Sequence, residues 1–404
     1  MLLCCGSPQE PAPVYVDFTS EQKSLRVELR AYFDQLMTPE IRDGLIGLEG
    51  GPMFREVVRQ MGKDGWLGVG WPKRYGGQGL TGIEQMIWFE EARRSGAPIP
   101  FVTLNTVGPA LIARGSEIQK ERFLTQILAG EIHFAIGYTE PDAGTDLASL
   151  KTSAVRDGDD YIVNGTKIFT SGANQADYIW LACRTDPDAK KHKGISILIV
   201  DTKLPGFSWS PIHTVGGGAT TMTYYDNVRV PTDMRVGEEN GGWQLITLQL
   251  NHERVGLAAM GCLAGELIDD VADWAREARD EQDHPVIETP WVQMALGEAR
   301  ARFEALKVMN WKMAWEIAQG RLEPAHASAA KVYGSETMIE ICRLIQEVLG
   351  VAGTLQRGSS GAALEGRIEL TWRGCQINTY GGGVNEVQRE IISMLGLGLP
   401  RAPR

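Results

Sequence analysis

Two short segments in the middle of the chain combine residue types that suit a flat ligand or a phosphate. Residues 138–146 read Tyr-Thr-Glu-Pro-Asp-Ala-Gly-Thr-Asp, and residues 164–167 read Asn-Gly-Thr-Lys. Gly144 and the short side chains beside it allow a ligand to approach the backbone closely. Backbone N–H groups at such a turn can bind a phosphate or the edge of an isoalloxazine ring. We therefore expect a binding platform for a flat or phosphorylated ligand such as a flavin, built from a glycine-containing turn and a β-hairpin.

A carboxylate on a predicted helix is the second feature with chemical potential. One helical face carries apolar residues and a single acid, namely Ile246, Leu250, Glu253, Leu257 and Met260. Desolvation on such a stripe would make Glu253 a stronger base. Arg254 points elsewhere on the helix, so it is a poor partner for Glu253. A structural salt bridge at Glu253, or His252 acting as the base instead, are the alternatives.

The composition excludes several classes of protein. The chain has 404 residues, 43% of them hydrophobic and 23% charged, which is typical of globular proteins with more than one structural unit. A net charge of −11 without Lys/Arg clusters argues against nucleic-acid binding. No apolar run reaches the roughly 18 residues of a membrane span. The six cysteines show no spaced metal motif, so we expect reduced thiols, no metal site and a cytoplasmic protein.

The hydrophobic periodicity changes twice along the chain. Helical spacing dominates residues 18–132 and returns at 237–404, whereas residues 133–236 contain short β-rich runs. The segment 1–17 is expected to be a mobile leader. Asn164-Gly165, flanked by alternating residues, predicts a hairpin turn. The sequence therefore predicts a β-domain inserted between two helical domains.

This order of elements, together with the two segments at 138–146 and 164–167, resembles the acyl-CoA dehydrogenase family over nearly the whole chain. The resemblance implies an N-terminal all-α domain, a middle β-domain and a C-terminal four-helix-bundle domain. It also implies FAD as cofactor and removal of two hydrogens from an acyl-CoA. Phe169 matches an aromatic residue, usually Trp, that packs on the flavin, and Ser171 matches a hydroxyl near flavin N5. The implied flavin contacts are Tyr138, Thr139, Gly144, Thr145, Phe169, Ser171 and Gly382.

The resemblance also locates the catalytic base. Most members of the family carry a Glu in a C-terminal Tyr-Glu-Gly-Thr segment, but residues 380–388 here read Tyr-Gly-Gly-Gly-Val-Asn-Glu-Val-Gln. A minority carry the base on a helix of the third domain, at the position of Glu253. The backbone N–H of Gly382 is then expected to bind the thioester oxygen. Arg254 and Gly383 are the implied substrate contacts.

Two family segments that complete a neighbouring subunit's FAD site are altered. An Arg-x-x-Phe-Gly segment is missing from residues 276–285, and a Gln-x-x-Gly-Gly segment reads Glu-Val-Leu-Gly-Val at 347–351. A carboxylate beside a diphosphate would repel it. This pattern resembles actinobacterial steroid side-chain acyl-CoA dehydrogenases, which are heterotetramers of two unlike chains.

The resulting expectation is an FAD-dependent subunit that dehydrogenates a steroid-CoA side chain. Its expected partners are an unlike acyl-CoA dehydrogenase chain and an electron-transferring flavoprotein. Two alternatives stay open. One is a catalytically silent structural subunit, and the other is an oxygen-using oxidase or monooxygenase on the same fold.

Overall fold

The computed structural model describes residues 17–45, 50–247, 249 and 263–401. The predicted leader at 1–17 lies outside these ranges apart from Asp17. Among the predicted site residues, Glu253 and Arg254 also lie outside the described residues, as does His252. None of the helices in the described ranges is long and apolar enough to cross a membrane.

The N-terminal part is helical, as the sequence predicts. Its α-helices are α1 (Ser20–Leu36), α2 (Pro39–Leu45), α3 (Pro52–Lys63), α4 (Gly82–Ser95), α5 (Gly108–Arg114) and α6 (Glu117–Leu128). The helices α1, α4 and α6 each begin with a capping box, in which a Thr or Ser side chain and a Gln or Glu three residues later satisfy the first backbone N–H groups. The sequence therefore fixes these helix starts locally.

The packing of α1 on α4 forms the core of this helical part. Phe33 and Trp88 are fully buried there, with ring centroids 6.2 Å apart. At the edge of the contact the carboxylate of Glu91 is almost fully buried and accepts hydrogen bonds from Arg30 and Arg94 at 2.8–3.0 Å. Apolar burial thus supplies the attraction between these helices, and the ion cluster fixes their register.

Residues 134–236, all of them described, form one mixed sheet. Its strands are β1 (Phe134–Gly137), β2 (Ser153–Asp157), β3 (Asp160–Lys167), β4 (Tyr178–Arg184), β5 (Ile195–Asp201), β6 (Phe207–His213), β7 (Ala219–Pro231) and β8 (Arg235–Val236). The strand order is β6-β7-β3-β2-β4-β5-β8, with β1 parallel to β4. Two of the β-rich runs of this region, at 178–182 and 195–200, form the buried strands β4 and β5.

The hairpin predicted at Asn164-Gly165 is wrong. The turn between β2 and β3 lies at 157–160, where Gly158 has φ +62°. Gly165 instead lies inside β3, where the register against β7 shifts and forms a bulge. A Cβ at Gly165 would come within 2.5 Å of Thr152 Oγ1, so glycine marks a close approach here rather than a turn.

Helices return after the sheet. Residues 242–247 begin α7, and the further α-helices are α8 (Leu263–Glu277), α9 (Pro290–Ala318), α10 (Pro324–Leu349), α11 (Arg367–Cys375) and α12 (Asn385–Ile391). Buried apolar residues of α8, α9, α10 and α11 form one cluster, centred on the fully buried Ile341 and Ile345. The N-terminal domain contacts α9 where the rings of Phe18 and Trp311 lie 4.8 Å apart. This arrangement confirms the predicted helical C-terminal bundle.

Candidate functional site

The two segments that predicted a flavin platform meet in the structure. The backbone N–H of Ile168 donates to the carbonyl of Thr139 at 2.8 Å. One residue earlier, Lys167 Nζ donates to the carbonyl of Tyr138 at 3.0 Å. The turn after β1 and the end of β3 therefore form one continuous surface, although they are about 30 residues apart in the sequence.

A buried ion pair holds this junction. Lys167 is fully buried, and its Nζ lies 2.8 Å from Glu140 Oε1. The same carboxylate accepts the backbone N–H groups of Lys151 and Thr152, both at 2.7 Å. Although burial acts to raise it, the charge of Lys167 and these hydrogen bonds hold the pKa of Glu140 below its usual value. Burial lowers the pKa of Lys167, and Glu140 opposes that shift.

The glycine-containing turn leaves its outer face open. Glu140 and Ala143 exchange two backbone hydrogen bonds of 3.1 Å and close the turn. Gly144 and Thr145 follow it and are exposed. A Cβ placed on Gly144 would meet only Thr139 Cγ2, at 4.0 Å. A ligand therefore has access to the backbone here, although the individual contacts of Thr139, Gly144 and Thr145 stay predictions.

Phe169 adopts an unusual conformation at the junction. Its φ is +60°, which is rare for a bulky residue and costs about 1–3 kcal/mol. Its ring is 58% exposed, even though its neighbour Thr170 is fully buried. The backbone of Thr170 is fixed by Thr221, which accepts its N–H at 2.9 Å and donates to its carbonyl. The strain presents an aromatic face beside the turn, as a ring-stacking role requires.

A pair of hydroxyl groups lies next to Phe169. Ser171 Oγ is 2.9 Å from Thr220 Oγ1, and Thr220 is almost fully buried. Each hydroxyl can donate or accept, so Thr220 can orient the Ser171 proton toward a ligand atom. The sequence reasoning missed Thr220 because it lies on β7, about 50 residues away. Its place opposite Ser171 depends on strand pairing, which no local motif reveals.

The glycine loop at 380–383 has a distinct backbone. Gly382 and Gly383 have φ values of +68° and +104°, a region that favours glycine. A Cβ on Gly383 would come within 2.5 Å of Gln388 Nε2. Among the described residues, no acceptor is recorded for the N–H of Gly382. The role of the Gly382 N–H as the donor to a thioester oxygen stays a prediction.

The sequence did not predict a polar contact between the sheet and helix α7. Gln249 is almost fully buried, and its Oε1 accepts hydrogen bonds from Tyr138 Oη and, at 3.2 Å, from Trp180 Nε1. Tyr138 thereby links the predicted flavin platform to this helix. A lone Gln on a helix gives no signal in the sequence, because its partners lie far away in the chain, just after β1 and on β4.

The two segments that differ from the family pattern carry an arginine bound to backbone carbonyls and a glutamate paired with a neighbouring arginine. Arg279 donates to the carbonyls of Arg276 and Glu277 at 2.8–2.9 Å, so its guanidinium caps the end of α8. On α10 the half-exposed carboxylate of Glu347 pairs with Arg343. Neither segment presents an unengaged guanidinium for a diphosphate.

Comparison with known proteins agrees with this geometry. Three family models match successive parts of the chain: the acyl-CoA dehydrogenase N-terminal domain at residues 19–131, the middle domain at 135–228 and the C-terminal domain at 240–396. The domain boundaries expected from composition stay predictions, because a match range describes the extent of a profile and not the end of a domain.

The chain is also similar to individual proteins over almost its full length. It is 52% identical to the acyl-CoA dehydrogenase FadE26 of Mycobacterium tuberculosis over 403 residues, covering 96% of this chain and 100% of that protein. It is similar to a solved chain of the Tcur3481-Tcur3483 steroid ACAD, with 55% identity, a TM-score of 0.91 and coverage of 96% and 99%. A chain of the ChsE4-ChsE5 complex from Mycobacterium tuberculosis gives 52% identity, a TM-score of 0.91 and coverage of 96% and 100%.

The buried ion pair predicts a measurable effect on stability. Replacing Glu140→Gln leaves Lys167 charged and buried, so the free energy of unfolding should fall by about 3 kcal/mol in urea titrations. Because the pKa of Glu140 is lowered in the folded state, its stabilising contribution is present above the ordinary glutamate value and is lost as the pH falls through the lowered value. Asp157→Asn, which breaks an exposed pair with Arg229, is the matched control and should change little. Equal losses in both variants would contradict the prediction.

The exposed ring predicts a second effect. Replacing Phe169→Ala should weaken flavin binding about fivefold, because ring stacking contributes about 1 kcal/mol. The measurement is a titration in which flavin is added to the flavin-free complex and its fluorescence gives the dissociation constant. Trp291→Ala removes an equally exposed aromatic residue at the start of α9 and should leave binding unchanged. If both variants bind flavin like the parent protein, Phe169 does not pack on the ring.

Proposed function

Because the chain belongs to the acyl-CoA dehydrogenase family, we propose that it catalyses the FAD-dependent α,β-dehydrogenation of an acyl-CoA thioester. The family implies a flavin cofactor, and FAD is the form that we propose. The single observation that carries the proposal is the junction of the 138–146 turn with the end of β3, through the hydrogen bond from Ile168 to Thr139. Fold similarity alone would not require this junction to be intact.

The residues at the junction fit a flavin. Phe169 offers a ring face, Ser171 a hydroxyl donor and Gly144 an open backbone edge. We assign Tyr138, Thr139 and Thr145 to the same contact surface. When bound there, the flavin supplies the acceptor for the hydride that leaves the substrate β-carbon. The Ser171 hydroxyl would donate a hydrogen bond to the flavin and so stabilise the negative charge that reduction brings.

We assign the removal of the α-proton to Glu253. Residues 380–384 contain no carboxylate, so we look for the base outside the glycine loop. Ile246, on the same predicted helical face as Glu253, is fully buried, which supports an apolar setting for that face. The N–H of Gly382 binds the thioester oxygen and stabilises the charge that develops when the proton leaves. We place Arg254 and Gly383 among the substrate contacts.

We further propose a steroid-CoA side chain as the substrate and an unlike acyl-CoA dehydrogenase chain as the partner. Similarity to a chain of a steroid ACAD and to a chain of the ChsE4-ChsE5 complex supports both points. The acidic Glu347 supports the second point independently, because a neighbour's diphosphate would be repelled there. We also propose an electron-transferring flavoprotein as the partner that would accept the electrons.

One observation favours a second candidate function. The glycine loop lacks the carboxylate that most members of the family use as the base. A catalytically silent subunit would lack it as well. The preserved junction and the strained Phe169 argue against this candidate, since a silent subunit has no need to maintain strain at a flavin surface.

Replacement of the base separates these candidates. In a complex co-expressed with the unlike chain, Glu253→Gln should reduce kcat by about a thousandfold, because general-base catalysis contributes 10²–10⁴-fold. Glu266→Gln is the control: burial also raises the pKa of this carboxyl, but it lies near Arg94 and Arg367, remote in its contacts from the glycine loop. Full activity of Glu253→Gln would place the base elsewhere or in the partner.

The partner requirement predicts the behaviour of the chain alone. Purified without its partner, the chain should hold FAD weakly and lose it on gel filtration, because no second subunit contributes groups to the diphosphate. Co-purification with the unlike chain should restore flavin, measured as the ratio of flavin to protein absorbance. A homotetramer of this chain with one tightly bound FAD per subunit would contradict the prediction.

A further inference from the structure

A buried lysine lies beneath the glycine loop. Lys331, on α10, is only 3% exposed, and its Nζ donates to the carbonyl of Gly383 at 2.6 Å and to Asn385 Oδ1 at 2.7 Å. A third contact of 3.2 Å reaches the carbonyl of Thr379. An ammonium has three N–H groups to donate, and residues 379–385 supply three of the oxygens around it. Burying a charge at this depth is unfavourable unless such contacts compensate.

The oxygens lie at the two ends of the loop. Thr379 precedes the glycines, Gly383 is the last of them and Asn385 follows, so a single ammonium joins the start of the loop to its end. Glycines have the greatest backbone freedom, and fixing each residue costs roughly 1–2 kcal/mol. Within the loop, one strong local contact is a 2.7 Å hydrogen bond from Gly381 N–H to the carbonyl of Ile377. Lys331 thus supplies a restraint from outside the loop.

The surroundings of Lys331 keep it in place. Asn385 Nδ2 donates to Ser335 Oγ and to Glu336 Oε1, both at 3.0 Å. Further along, Ser328 Oγ donates to Gln388 Oε1 at 2.9 Å. These bonds connect α12 to α10 on either side of the ammonium. A Cβ at Gly383 would overlap the side chain of the same Gln388. The loop is therefore held by packing against Gln388 as well as by its hydrogen bonds to Lys331.

We propose that Lys331 is a positioning residue for dehydrogenation, which holds the glycine loop so that the Gly382 N–H meets the thioester oxygen. This inference rests on the proposed function. The carbonyls of Thr379 and Gly383 point toward the ammonium, and each peptide unit therefore directs its N–H away from it. The ammonium in this way fixes the 379–380 and 383–384 peptide planes, one on each side of the segment that contains Gly382. A displacement of about 1 Å at such a donor can cost 10²-fold in rate.

The test uses the co-expressed complex and the variants Lys331→Met and Lys331→Arg. Lys331→Met should lower kcat tenfold or more, leave KM within about threefold and retain the parental flavin content. Its primary isotope effect on kcat with α-deuterated acyl-CoA should rise, because a misplaced thioester slows proton removal. Loss of folded protein would lower the rate without changing the isotope effect. Lys331→Arg keeps the positive charge but carries it on a planar guanidinium, so its kcat should lie between that of Lys331→Met and that of the parent.

Hydrogen exchange of the peptide covering 376–388 gives a readout besides activity. Exchange should accelerate in Lys331→Met and stay parental in Lys63→Met, which removes an exposed lysine at the end of α3. An unchanged kcat, an unchanged isotope effect or unchanged exchange in Lys331→Met would overturn the inference while leaving the proposed function intact. A parent complex that oxidises no acyl-CoA would refute the proposed function and the positioning role with it.

Discussion

The site depends on one buried ion pair. Lys167 and Glu140 lie where the turn after β1 meets the end of β3, and each also binds backbone groups of the other segment or of the residues leading into β2. Burying two opposite charges is favourable only when every lone pair and N–H group of both side chains has a hydrogen-bond partner. Lys167 and Glu140 come close to that condition. The geometry of Thr139, Phe169 and Ser171 follows from it, because all three lie within four residues of the pair.

A second buried lysine has a comparable role on the helical side. Lys167 donates a hydrogen bond to the carbonyl of Tyr138 at the proposed flavin surface. Lys331 donates hydrogen bonds to the carbonyls of Thr379 and Gly383 at the glycine loop. In both places an ammonium organises a loop backbone that has no regular secondary structure of its own. The protein thus uses charge burial, which contributes little to net stability, to specify loop conformation. Gln249 joins the surface at Tyr138 to α7 through the hydrogen bond that it accepts from Tyr138.

The sequence predicted the helices and central strands well, because capping residues such as Thr19 and Ser116 and apolar runs such as 195–200 act locally. It also placed the two segments of the flavin surface, through their resemblance to a family. Contacts that depend on pairing over long separations were out of reach: Thr220 opposite Ser171, Gln249 against Trp180, and Lys331 beneath the loop. The error at Asn164-Gly165 has the same origin, since only the register of β3 against β7 reveals a bulge.

The central claim is that this chain places a bound FAD beside an acyl-CoA thioester. The most direct measurement is an anaerobic titration of the co-purified complex with a panel of acyl-CoAs, in which the visible absorbance of the oxidised flavin is followed. The account predicts rapid bleaching by a steroid side-chain CoA, and slower or no bleaching by short linear acyl-CoAs. A complex with full flavin content that no acyl-CoA bleaches would contradict it.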